Sequence, residues 1–276
     1  MRLVSFLKEG RWCPGFRRGD SIVEIADKDL ASAQAVIAAV TQGRKPTEGP
    51  SHPAAGVTLG LPVPEPGKIV CIGLNYVDHA KEGGNPIPDY PAVFLRTNSS
   101  LVAHGQPLVR PLCSDKFDYE AELAIVIGKT AHNVAEADAL SHVFGYACFN
   151  DGSIRDYQRK STQWTMGKNF DGTGPFGPDI VTSDELPAGA AGLRVVSRLN
   201  GERMQNGNTS DMIFSVARTI AIISEVMTLD PGDIIITGTP AGVGYARKPP
   251  VFMRPGDVCE VEIEKIGILS NPVVSA

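Results

Sequence analysis

The chain has 276 residues, 42% hydrophobic and 21% charged, the balance of a folded globular protein rather than a disordered one. Its net charge of −5 and the absence of long Lys/Arg runs exclude the basic surface that nucleic acid requires. The five cysteines (Cys13, Cys71, Cys113, Cys148 and Cys259) are scattered and form no CxxC pair, so neither a disulfide framework nor a zinc site is expected.

In chain order, the first ten residues carry Lys8 and Glu9 and lack an apolar core, so neither a signal peptide nor a membrane span is expected. The default compartment is a reducing cytoplasm, where Asn98-Ser99-Ser100 and Asn208-Thr209-Ser210 are sequons by coincidence. Residues 3–6 and 22–25 read as short strands, and the Ala-rich stretch 30–40 reads as a helix. The Pro- and Gly-rich stretch 41–67 reads as a linker or wrapping loop. It divides a small N-terminal α/β domain, 1–62, from a main domain, 63–276. Strands are expected at 68–72, 92–96, 120–127, 145–150, 193–199, 233–237 and 258–266. One long helix is predicted, capped by Ser210 or Asp211. Its apolar stripe is Met212, Ile213, Val216, Ile220, Ile223 and Val226 or Met227, and the turn Asp230-Pro231-Gly232-Asp233 follows it. The class is therefore α+β, mostly β.

The chemistry concentrates in acidic segments. In Tyr119-Glu120-Ala121-Glu122-Leu123-Ala124-Ile125-Val126-Ile127, alternation along a strand puts Glu120 and Glu122 on one face. Adjacent carboxylates repel, and a hard divalent cation, Mg²⁺ or Mn²⁺, removes that repulsion. Taken alone, the spacing also fits a strand with one wet face. Asp151 stands where a strand ends and a turn begins, which suits a ligand and equally an Asx-turn or helix N-cap. His79 and Glu82 fall at i,i+3, where a carboxylate orients an imidazole as a general base; an exposed helical turn fits the same spacing. Lys168, set among Gly167, Asn169 and Phe170, is placed either to neutralise an oxyanion or on a surface loop.

Two glycine-rich stretches invite nucleotide readings. Gly172-Thr173-Gly174-Pro175-Phe176-Gly177 spells GxGxxG, but Pro175 and Pro178 interrupt it and no strand leads into it. Gly238-Thr239-Pro240-Ala241-Gly242-Val243-Gly244 follows a strand but lacks the Lys-Ser/Thr of a P-loop. Its amides and Thr239 are suited to gripping one small anion, such as a substrate carboxylate.

Together these segments resemble the fumarylacetoacetate hydrolase family, from about residue 68 to 273. The pieces stand in the family's order: Gly73-Leu74-Asn75-Tyr76 with His79 and Glu82, Glu120-Ala121-Glu122, Asn150-Asp151-Gly152-Ser153 with Arg155 and Gln158, Gly167-Lys168-Asn169-Phe170-Asp171, and the loop from Gly238 to Gly244. The N-terminal 60 residues resemble the small first region of bacterial members. The resemblance implies a mixed β-roll catalytic domain, a homodimer, and Mg²⁺ or Mn²⁺ held by Glu120, Glu122 and Asp151. No acid stands at 71–75, so water would complete the metal shell. The chain looks most like short His-x-x-Glu members that act on acylpyruvates or oxaloacetate.

The implied activity is hydrolysis of a C–C bond in a small 2,4-diketo acid of the acylpyruvate type, through a metal-chelated enolate. His79 would activate water, oriented by Glu82, while Lys168 stabilises charge and Arg155, Gln158 and Thr239 position the substrate. Residues 80–90 would close as a lid. The alternatives are oxaloacetate decarboxylation, or decarboxylation and isomerisation of an aromatic-degradation intermediate. A non-catalytic solute-binding domain is the reading from a different class.

Overall fold

The structure, a computed structural model, describes residues 1–84 and 86–276. Asn85, within the stretch expected to form a lid, lies outside the described residues. The chain opens with β1 (Arg2–Lys8), β2 (Arg11–Arg18), β3 (Ser21–Ile25), α1 (Ala33–Thr41) and β4 (Glu48–Pro53). Next come β5 (Ile69–Gly73), α2 (Val77–Glu82), β6 (Ala92–Arg96), β7 (Leu101–Val102), β8 (Leu108–Arg110) and β9 (Phe117–Asp118). The middle holds β10 (Ala121–Ile127), β11 (Val143–Asn150), β12 (Ser153–Ile154), α3 (Arg155–Gln158), α4 (Thr165–Lys168) and β13 (Gly174–Thr182). The last part holds β14 (Arg194–Leu199), β15 (Glu202–Asn208), α5 (Val216–Val226), β16 (Ile234–Ile236), β17 (Val258–Ile263) and β18 (Gly267–Ser275).

The fold is α+β and mostly β. Eleven strands form one mixed sheet in the order β4-β3-β2-β1-β13-β11-β10-β16-β5-β6, with β7 parallel beside β13. A second sheet runs β15-β14-β17-β18-β8, and β9 pairs with β12 in a short ribbon. On β10, Leu123, Ile125 and Ile127 enter one core with Ile220 and Ile223 of α5 and Val261 and Ile263 of β17. Ala124 and Val126 enter a second core with Val36 and Ile37 of α1 and Phe176 of β13. A strand buried on both faces explains the unbroken apolar run 123–127.

The N-terminal strands extend the main sheet, because β1 pairs antiparallel with β13 (Arg2↔Val181). The stretch 41–67 is more ordered than a linker. Within it β4 pairs with β3, and the bonds Leu7 N–H to Thr58 O and Gly60 N–H to Ser5 O pin the rest along β1. The sequence did not announce β2, β13 and β15, since Pro14 and Gly15, the Gly-Pro pairs of β13, and the polar run of β15 all read as turn or loop.

The long helix starts later than the apolar stripe predicts. Ser215, rather than Ser210 or Asp211, caps α5 by accepting from Arg218 N–H. Met212, Ile213 and Phe214 are instead held by the β5–α2 turn. Met212 bridges to Tyr76, Ile213 N–H donates to Asn75 O, and Phe214 N–H donates to the Asn75 side chain. Buried Asn75 also donates to the carbonyls of Phe214 and Thr237, tying together three segments that border the site. Asn75→Ala leaves these groups unpaired and is expected to cost about 2–4 kcal/mol in urea unfolding. A change within about 0.5 kcal/mol would show that water replaces these bonds.

Candidate active site and metal centre

The ends of β10 and β11 carry the acids. Glu120 and Glu122 share the inward phase of Ala124, and Asp151 follows Asn150 at the end of β11. Asn150 fixes this corner by accepting from Glu120 N–H through its side chain, while Asp151 N–H donates to Glu120 O. All three acids are buried, not a wet strand face, and each offers a carboxylate oxygen within 4.8 Å of the others'.

Cations answer most of this charge. Lys168 Nζ donates to Glu120 Oε2 and Asp151 Oδ2, at 2.5 Å each. Its backbone comes this close because Gly167 has no side chain; a Cβ there would lie 2.4 Å from the Gln158 backbone. Arg155 Nη2 lies 2.7 Å from Glu120 Oε1, and its Nε donates to Asp118 Oδ2 at 2.8 Å. Arg96 Nη1 donates to Asp151 Oδ1 at 2.5 Å, and the rest of its fork bonds Ser100, Gly152 O and Thr173.

Four acids (Asp118, Glu120, Glu122 and Asp151) thus face three bases. The excess negative charge falls on Glu122, whose hydrogen bond comes from Gly238 N–H at 2.5 Å. Burial, with Asp151 and Glu120 beside it, pushes the Glu122 carboxyl well up. Burial acts on Glu120 the same way, but Arg155 and Lys168 overcome it and hold that carboxyl well below the usual range. Burial works against the Lys168 ammonium, and Asp151 and Glu120 more than compensate to keep it charged. A buried, all-oxygen donor set with one uncompensated charge fits a hard divalent cation.

His79 lines the same cavity, which has a volume of about 380 Å³, and Glu82 stands behind it on the same helix, α2. The His79 Nδ1 is buried, lies 3.5 Å from Glu82 Oε2 and makes no hydrogen bond. Gln158 and Thr239 line the cavity too. The Gln158 side chain accepts from Arg155 Nη1, while the Thr239 hydroxyl donates to Ala121 O and accepts from Gln205. The glycine-rich loop does bind anions, but they are the protein's own. Gly238 N–H serves Glu122, Gly242 N–H serves Glu82, and the N–H groups of Gly244 and Tyr245 serve Asp118.

Sequence reasoning missed Arg96, Asp118 and Gln205. Two carried a signal. Arg96 has the inward phase of Phe94 on β6, whose alternate residues Val93 and Leu95 are exposed. Asp118 begins a row of acids at every second position, with Glu120 and Glu122. Gln205 carried none; it reaches the site from β15 through contacts distant in sequence. Because Arg96 is fully buried against Asp151, Arg96→Leu is expected to destabilise the fold by about 3–5 kcal/mol, and Arg96→Lys to recover only part. Thermal and chemical unfolding of both variants measures this, and full recovery by lysine would reduce the role of Arg96 to bare charge.

A profile described as "Fumarylacetoacetate (FAA) hydrolase C-terminal" matches residues 68–274. The mitochondrial oxaloacetate tautomerase fahd2 of Xenopus laevis is 46% identical over 222 residues, covering 80% of this chain and 69% of that protein. The solved fumarylacetoacetate hydrolase of the psychrophile Exiguobacterium antarcticum superposes over 100% of both chains with TM-score 0.88 and 36% identity. The maleylpyruvate hydrolase of Sphingobium sp. SYK-6 does so, again over 100% of both, with TM-score 0.83 and 33% identity. On this match, covering most of its length, the chain belongs to the fumarylacetoacetate hydrolase family.

Proposed function

We propose that this protein is a divalent-cation-dependent enzyme that shifts a proton beside the keto group of a small 2-keto acid, with keto–enol tautomerisation of oxaloacetate as its reaction. The observation that carries the reading is one cavity shared by a buried His79, backed by Glu82, and the Glu120, Glu122 and Asp151 cage. The relatives named as oxaloacetate tautomerases favour this outcome over cleavage.

Glu120, Glu122 and Asp151 would hold Mg²⁺ or Mn²⁺. When bound, the ion supplies positive charge beside the substrate's 1-carboxylate and 2-oxygen, where negative charge builds. His79 takes the proton from C3 and returns it to the oxygen, or the reverse, so the reaction is neutral overall. Glu82 faces Nδ1, which leaves Nε2 as the ring nitrogen for the substrate. Lys168 and Arg155 offset the charge of Glu120 and its neighbours at the cavity wall, so a carboxylate enters without meeting the bare charge of those acids. Gln158 and Thr239 border the bound substrate and set its orientation.

A second reading keeps the same residues. With water in place of the C3 proton, His79 would activate it against C4 of a 2,4-diketo acid and release pyruvate. The likeness to a maleylpyruvate hydrolase supports this arm. A family-type homodimer and a reducing compartment, with all five cysteines free, complete the proposal.

A substrate panel separates the outcomes: decay of enol absorbance for tautomerisation, pyruvate release for cleavage and CO₂ for decarboxylation. His79→Ala is expected to lower turnover about 10²–10⁴-fold while Mn²⁺ affinity is retained. Undiminished turnover in that variant sinks the proton-transfer role. Cation affinity has its own sign. Because the Glu122 carboxyl is pushed up, protons compete with the ion for it, so affinity falls on acidification and rises with pH. Calorimetry in buffers of different ionisation enthalpy should show proton release on Mn²⁺ binding. Affinity independent of pH would place the ion away from Glu122.

A further inference from the structure

One cation at the cavity is left over from the balance above. Arg159 caps the C-terminus of α3, four residues after Arg155, so both guanidiniums leave the helix on one face. Both line the cavity. Their Cζ atoms lie over the same Tyr245 ring, 4.5 Å from its centre for Arg155 and 4.6 Å for Arg159. Arg155 is neutralised by Asp118 and Glu120. The side chain of exposed Arg159 has no hydrogen bond or ion pair among the described residues.

With Arg155 neutralised by its own acids, the charge of Arg159 is the one left for an incoming anion. The ring lies against the guanidinium at cation–π distance, which limits the freedom an arginine loses when it grips a ligand. The local sign also runs against the whole, since the chain carries −5 while the mouth of the cavity presents an unpaired positive charge. Such a mouth concentrates anions.

We propose that Arg159, on its Tyr245 platform, is the residue that selects dicarboxylic substrates. It grips the far carboxylate of a 2-keto diacid whose near carboxylate and keto oxygen lie at the acidic cage. The inference rests on the 2-keto acid reading above and adds the requirement for a second carboxylate. The planar fork of Arg159 matches a carboxylate in two-point contact, as a lysine does not.

The test compares wild type with Arg159→Gln and Arg159→Lys, with thermal melts to check that both fold. The ratio of kcat/KM for oxaloacetate to that for acetylpyruvate, which lacks the far carboxylate, is expected to fall about tenfold or more in Arg159→Gln, mainly through KM. Arg159→Lys should fall between. Calorimetry on the Mg²⁺-loaded protein is the second readout: affinity for 2-oxoglutarate should drop about tenfold, and affinity for oxalate should stay within about twofold. Equal losses on both ligands, or no loss on either, overturn the inference. A wild type that turns over no 2-keto acid yet binds 2-oxoglutarate through Arg159 rejects the proposed reaction and sustains the selectivity. An active wild type whose preference is unchanged in Arg159→Gln does the reverse, and a wild type that binds neither ligand overturns both.

Discussion

The structure turns on a buried ammonium. Lys168 places its Nζ between Glu120 and Asp151, and without it two carboxylates at the ends of β10 and β11 would face each other in a low-dielectric interior. Burying unpaired charge is among the costliest things a fold can do. The surrounding architecture reads as the solution to that problem. The β10–β11 pairing delivers the acids, Gly167 lets α4 pack against α3, and Arg96 and Arg155 enter from β6 and α3 to balance what lysine leaves. One charge is left over, on Glu122, and that remainder makes the cage a place for a cation rather than a closed ion-pair network.

Parts of this were legible in the sequence because they are local. The period of two placed Glu120 and Glu122 on one face, and the boundary between an apolar run and Asp-Gly placed Asp151 at a strand end. The i,i+3 spacing placed His79 beside Glu82. What spacing alone left open was burial: a wet face and a metal cage share one pattern, and only the order of the segments along the chain separated them. Arg96 and Asp118 stood in plain phase with residues that were read, but a charged residue at a strand end carries no mark of its partner 37 or 55 positions away.

The start of α5 shows the opposite failure. The apolar stripe runs back to Met212, and periodicity extends the helix there. Tertiary bonds won: Asn75 claims the amides of Ile213 and Phe214, and Ser215 caps what remains. The glycine-rich loop has the look of an anion binder in the sequence, and in the structure its amides are occupied by the protein's own carboxylates. Its amides hold Glu82, Asp118 and Glu122, so it joins α2, the acid that pairs with Arg155 and the cage in one piece of backbone.

The pairing of β1 with β13 separates two ideas of a domain. The family profile begins at residue 68, yet the edge of β13 there is covered by β1, and Leu3 and Phe16 close the core beneath Phe176. A chain cut at the profile's boundary would expose a long strand edge and apolar side chains together, the combination that templates aggregation. The length that the family profile matches is shorter than the length that shields the sheet, and the first 67 residues act as a cover for hydrophobic surface that the remainder cannot hide by itself.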